Sequence, residues 1–328
     1  MTHNAEPHTR GRFILAVALT FAVAVGVNLQ VRANGQLGAA GVPPATIALG
    51  NMSLQFAMIV VAATLVPSLR RAVQRLVEAV RAKQTHLWWF TGGFVGALVI
   101  SMMGLVSPII GVAVFAVAIV SGQMVSSLLV DRWGLGPGGK RAVTAGRLGA
   151  AALALVAVVL AVSDRVSPGD MDLATLAGVV AALLAGFTIS FQAAANGRLA
   201  QVSGQPAVGA GVNFLVGSLV LLILIPATWL LPARESAPVS GASWWLYGGA
   251  IFGLLVVVNT AWAVKYLGLL LLTVVSVSGQ VIGAVVVDLL MPTRDIEVTW
   301  PLVSGAALTV VAVMVGVLTS PRGAARAR

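Results

Sequence analysis

The sequence predicts an all-α membrane protein of ten transmembrane helices, arranged as two inverted five-helix repeats. Three observations carry that expectation. Apolar residues arrive in blocks of 18 or more, the length that crosses a bilayer core. The chain is 59% hydrophobic and 9% charged, where a soluble domain would hold roughly 25% charge. Four polar and aromatic motifs recur in the same order in both halves, and each half holds an odd number of spans, so consecutive copies must enter the membrane from opposite sides.

The first span, at about 13–36, follows Arg10 and Arg12. A cleaved leader is the rival reading of such a segment, but its copy near 173–197 lies in mid-chain, where no leader is removed. Pro43-Pro44 opens a second span at 43–66 and Pro67 closes it. The basic stretch from Arg70 to Lys83 reads as a loop. Third and fourth spans follow at about 88–106 and 108–130, and a fifth at 142–163. The polar run Asp164 to Asp170 marks the boundary, giving a first repeat at 1–163, a linker at 164–172 and a second repeat at 173–328. Spans at about 173–197, 206–231, 244–264, 266–290 and 300–319 fill the second half, ahead of a basic tail.

The duplication is specific. Gln30-x3-Asn34-Gly35-x-Leu37 returns as Gln192-x3-Asn196-Gly197-x-Leu199, and each copy has a further Asn seventeen residues on, Asn51 and Asn213. Trp88-Trp89 before Gly92-Gly93 matches Trp244-Trp245 before Gly248-Gly249. Ser121-Gly122-Gln123 before Asp131 matches Ser278-Gly279-Gln280 before Asp288.

Charge gives an independent test of topology. With the N-terminus inside, the inner loops and tails collect fifteen Arg and Lys, and the outer loops keep Arg32, Arg165, Arg234 and Arg294. That is a strong positive-inside bias. It places both termini in the cytoplasm, and it accounts for the net charge of +10 by anionic lipid, without nucleic acid.

These motifs, with Asn213-Phe214-Leu215-Val216-Gly217-Ser218, resemble the drug/metabolite transporter superfamily, and within it the YdcZ-like inner-membrane exporters in their fused ten-helix form. The resemblance covers nearly the whole chain. It implies a bundle whose first, third and fourth helices in each half surround a central cavity, with alternating access by rocking of one repeat on the other. The doubled amides, with the charge pattern, point to a small polar or amphiphilic metabolite or drug as solute. The first half departs from the second in having Asn51-Met52-Ser53 for Asn213-Phe214-Leu215 and Arg32 for Ala194, so two unequal half-sites are expected.

Gln30 and Asn34 are four residues apart and share a helix face, as do Gln192 and Asn196. Such amides bind a polar solute through donors and acceptors together, or they hold helices to one another. A further reading makes Asn34 and Asn196 helix caps beside their glycines. Gln123 and Gln280 lie deep in the fourth and ninth spans, where an inverted repeat sets paired residues around the central axis, and they are the leading cavity candidates. Asn51 and Asn213 sit on the second and seventh spans, which the resemblance makes peripheral, and packing is expected there. The tryptophan pairs read as interface anchors, and Gly92-x3-Gly96 and Gly249-x3-Gly253 as packing faces. Asp131, Asp288 and Arg147 are the charges that approach a span, all near its ends. Asp131 and Arg147 fall on the same side and are expected to pair; lacking a mid-membrane carboxylate, transport is expected to be uncoupled, and proton coupling, were it used, would have to run through Asp131 or Asp288.

There is no Cys, His3, His8 and His86 have no metal-ligand spacing, and no Walker loop is present. Catalytic residues, a metal and a cofactor are therefore not expected, and neither is an enzyme. The expected partners are a small-molecule solute and membrane lipid, with a homodimer left open. Two rival functions stand: a lipid-handling, flippase-like protein, and a non-transporting membrane partner or sensor subunit.

Overall fold

The computed structural model describes residues 7–164, 173–228, 248–292 and 297–319. Among these, regular structure is helical throughout. Helix α1 is Pro7–Ala39 and α2 Pro44–Leu65, started by proline in its first turn, where a missing N–H costs nothing. α3 is Pro67–Arg81. A short 3₁₀ turn at Leu87–Phe90 leads into α4, Gly92–Ile110. α5 is Val112–Trp133, ended by Gly134 in the left-handed conformation (φ 70°), and α6 is Ala145–Ala161, whose N-cap Thr144 side chain accepts the Arg147 N–H. The second half holds α7 (Leu173–Ser203), α8 (Pro206–Thr228), α9 (Ala250–Leu290) and α10 (Trp300–Leu318).

Eight helices among the described residues are long and apolar enough to cross a membrane, and a pair bent by 48°, Ala250–Thr260 with Trp262–Gly268, would make a ninth. The apolar α6, at 17 residues, is shorter than these. Helix α9 has 41 residues, about 60 Å at 1.5 Å per residue, twice the roughly 30 Å of a hydrocarbon core. Its backbone breaks at Gly268 (φ 68°, ψ 167°), three residues beyond the expected boundary at Lys265. Many large apolar side chains point outward, among them Leu155, Val159, Leu222 and Ile223, as lipid-facing surfaces require.

Two expectations are corrected here. The basic stretch from Arg70 is not a loop. It forms the amphipathic α3, which buries Leu69, Ala72, Leu76 and Ala79 at helical spacing while Arg70, Arg71 and Arg81 stay exposed. Arg32 is not in an outer loop. It lies inside α1 and is buried, because α1 runs on to Ala39.

Packing crosses between the halves. α1 packs chiefly against α9, with α4 beside it, and α7 packs against α5 and α4. α2 pairs with α8, and α6 with α10. The largest apolar core gathers Val112 to Val120 of α5, Val281, Ala284 and Val287 of α9, and Leu302 and Ala306 of α10.

Candidate functional site

The first amide set is closed on itself. Gln30 Nε2 donates to Asn51 Oδ1 at 2.9 Å, and Asn51 Nδ2 donates to Asn34 Oδ1 at 3.1 Å and to the Ile47 carbonyl at 2.9 Å. Asn34 Nδ2 reaches Met103 Sδ at 3.7 Å. Gln55, one turn past Asn51, donates to the Ala250 carbonyl at 3.0 Å. These amides are buried, and four-residue spacing on α1 and on α2 lets the two faces meet. Asn34 is thus held in mid-helix, five residues before α1 ends, and does not cap it.

The second set faces glycine. A Cβ placed on Gly92 would lie 2.8 Å from Asn196 Oδ1, and one on Gly96 would lie 2.7 Å from Asn213 Oδ1 and 3.0 Å from Gln192 Nε2. The same crossing holds in reverse: a Cβ on Gly249 would lie 3.5 Å from Gln30 Cγ, and one on Gly253 would meet Gln55 Nε2. Each glycine pair receives the amides of the other half. Asn196 Oδ1 and Asn213 Oδ1 are buried without a hydrogen-bond partner, as is Gln55 Oε1; the second set is thus less satisfied than the bonded trio of Gln30, Asn34 and Asn51.

Both Ser-Gly-Gln motifs are close-approach points. Gly122 abuts the Leu183 carbonyl of α7, and Gly279 abuts the Phe21 carbonyl of α1. The backbone carbonyl of Gln123 accepts Ser190 Oγ at 2.9 Å, and that of Gln280 accepts Asn28 Nδ2 at 2.8 Å. The two side chains differ in setting. Gln123 lines a cavity of about 180 Å³ together with Ser127, Thr273, Val277, Val313 and Arg147. Gln280 is half-buried and does not line it.

Of the charges, Arg147 pairs with Asp131. Asp288 lies two residues from the end of α9 yet is only 2% exposed. Its carboxylate accepts the backbone N–H of Val112 at 3.2 Å and of Ala113 at 2.7 Å, capping the positive N-terminus of α5. Arg32 donates to the Pro292 carbonyl at 2.6 Å, within coulombic reach of Asp288. It lines a second cavity, of about 530 Å³, with Gln36, Ser107 and Pro108.

Trp89 is buried against Leu69, Leu76 and Leu199; Trp244 and Trp245 lie outside the described residues. Trp262 packs against Tyr266 with the rings tilted by 54° and their centroids 5.0 Å apart. Sequence reasoning passed over Asn28, Gln55 and Ser190. Gln55 had a legible signal, since it extends the four-residue spacing from Asn51. Among the described residues, no three His, Asp or Glu gather as a metal site.

The family model described as "Putative inner membrane exporter, YdcZ" matches residues 15–160 and 177–315. The chain belongs to the YdcZ family. No curated protein matches it. YdcZ membership and the apolar helices make it a multi-pass inner-membrane protein with a transporter role.

Proposed function

We propose that the chain exports a small polar or amphiphilic metabolite or drug by alternating access, through ten spans that form two inverted five-helix repeats with both termini in the cytoplasm. The observation that carries this reading is the cavity at Gln123, which combines α5 and α6 of the first half with α9 and α10 of the second. A solute-sized space between two halves is what rocking would open and close. Exchanged packing of α1 on α9 and α7 on α4 and α5 supports the inverted arrangement. Gln123, Ser127 and Thr273 offer neutral donors and acceptors to the solute, and Arg147, paired with Asp131, adds a charge to the lining. The remaining amides (Gln30, Asn34, Asn51, Gln192, Asn196, Asn213) act mainly in joining helices, although the unpartnered oxygens of Asn196 and Asn213 leave the second set able to take a donor.

The exposed arginines of α3 suit a helix lying in the cytoplasmic interface against anionic lipid. A cysteine placed at Gln84 that reacted with a membrane-impermeant reagent from the periplasm would reverse this orientation. The function itself is tested by deleting and overexpressing the gene and measuring resistance to amphiphilic compounds together with the extracellular metabolite profile. Expected are opposite changes in the two strains for at least one solute. A profile that moves in neither strain would remove the export reading.

A further inference from the structure

Two glycines in distant parts of the chain share an unusual backbone. Gly111, just before α5, has φ 84° and ψ 163°, and Gly268, inside α9, has φ 68° and ψ 167°. They are 157 residues apart, the same interval that separates Gln123 from Gln280 and Asp131 from Asp288. Each begins a new helical run, whose first N–H groups lie beyond the reach of regular helix bonding.

The two beginnings are treated differently. Asp288 sits on the one after Gly111, through the N–H groups of Val112 and Ala113. Its counterpart Asp131 is held instead by Arg147. Burial is one-sided in the same sense. Met124, Ser127 and Thr273 line the Gln123 cavity, and Thr273 is exposed. Their counterparts at the same interval are closed off: Val281 is 1% exposed, Ala284 0% and Ala116 7%. The same 157-residue interval thus relates an open side to a sealed one.

We infer that Asp288 and Asp131 are alternating latches, each closing one side of the bundle by capping a helix start in the opposite half. This rests on the alternating-access reading above. In the structure Asp288 holds its side shut while Asp131 is released onto Arg147. In the exchanged state Asp131 leaves Arg147 and caps the N–H groups of Leu269 and Leu270, and Asp288 lets go of Val112 and Ala113. A carboxylate in an apolar setting cannot be left without donors. Arg147 supplies them to the released Asp131, and Arg32, already within coulombic reach of Asp288, is placed to do the same on the other side. Both aspartates are positioning residues; neither needs to touch the solute.

The absence of cysteine makes single-cysteine reporters clean. Ser127→Cys reports the side open here, and Ala284→Cys the side sealed here. The full chain in oriented vesicles is labelled with a membrane-impermeant maleimide. Asp288→Asn should raise the labelling rate of Ala284→Cys at least tenfold, about 1.4 kcal/mol of population shift, and slow that of Ser127→Cys. Arg147→Gln frees Asp131 and should move both reporters in the same directions, and adding Asp131→Asn should cancel that movement. If Asp288→Asn does not accumulate, Val112→Pro removes one donor at a first-turn position that tolerates proline and should give a smaller shift of the same sign. Reporters that stay unmoved in Asp288→Asn or Val112→Pro, with thermal stability kept, would overturn the latches, as would a shift that survives Asp131→Asn. Moving reporters, with an unsubstituted chain that transports nothing, would keep the latches and remove the transport reading; transport by the unsubstituted chain with unmoved reporters would do the reverse.

Discussion

Gln30 and Asn51 are joined by one hydrogen bond, Nε2 to Oδ1 at 2.9 Å, between two buried amides on neighbouring helices. Asn51 also donates to Asn34, so its loss would strand a donor on Gln30 and an acceptor on Asn34. A buried group left unpaired costs about 1–3 kcal/mol. Asn51→Leu should therefore destabilise the protein by about that amount in thermal unfolding in detergent. Asn213→Leu at the counterpart position should be near neutral, because the Asn213 oxygen already has no partner. Equal losses at both positions would show that the second set is as well bonded as the first.

The Gly122 contact gives a steric prediction. Any Cβ at Gly122 meets the Leu183 carbonyl, a backbone atom on α7 that cannot rotate away. Gly122→Val should sharply reduce the yield of folded protein on size exclusion, since overpacking costs about 1–3 kcal/mol or more. Gly149→Val, where nothing lies within 4 Å, should leave the yield unchanged.

The sequence made the spans and the doubled motifs legible because apolar blocks and repeated residues are local signals. It misread α3, since a helix with four arginines looks like a loop until Leu69, Ala72, Leu76 and Ala79 are seen to share a face. Arg32 was counted with the outer loops although it fell within the expected first span at 13–36; α1 carries it inside, where Pro292 supplies an acceptor. The partner of Asp288 was hidden altogether. Val112 lies 176 residues away in sequence, and no spacing rule links a carboxylate to a helix start in another half. The inequality of the amide sets was visible only as a sequence departure; the bonds that produce it depend on how α1 and α2 approach.

The Asp131–Arg147 pair should be weakly stabilising by itself. Arg147 is buried (9%) but Asp131 keeps about a quarter of its side chain accessible (26%), and pairs that water still reaches are worth about 0–1 kcal/mol. A double-mutant cycle with Asp131→Asn and Arg147→Gln, read by thermal unfolding, should give a coupling within that range. A coupling of about 3 kcal/mol or more would mark the pair as buried and structural, with no freedom to exchange partners.

Gln123 separates structure from transport within one residue. Its backbone carbonyl holds Ser190 on α7, and that bond survives any side-chain replacement. Its side chain lines the 180 Å³ cavity. Gln123→Leu keeps the volume and removes the amide, so folded yield and melting temperature should stay close to those of the unchanged protein. Export of the solute found by metabolite profiling should fall about tenfold, as losing one or two polar contacts worth about 1.5 kcal/mol would require. Ser127→Leu should obstruct the same cavity with an added side chain and lower export as well. If instead Gln123→Leu transports normally and only the melting temperature falls, the amide serves packing, and the solute path must be sought along the unpartnered oxygens of Asn196 and Asn213.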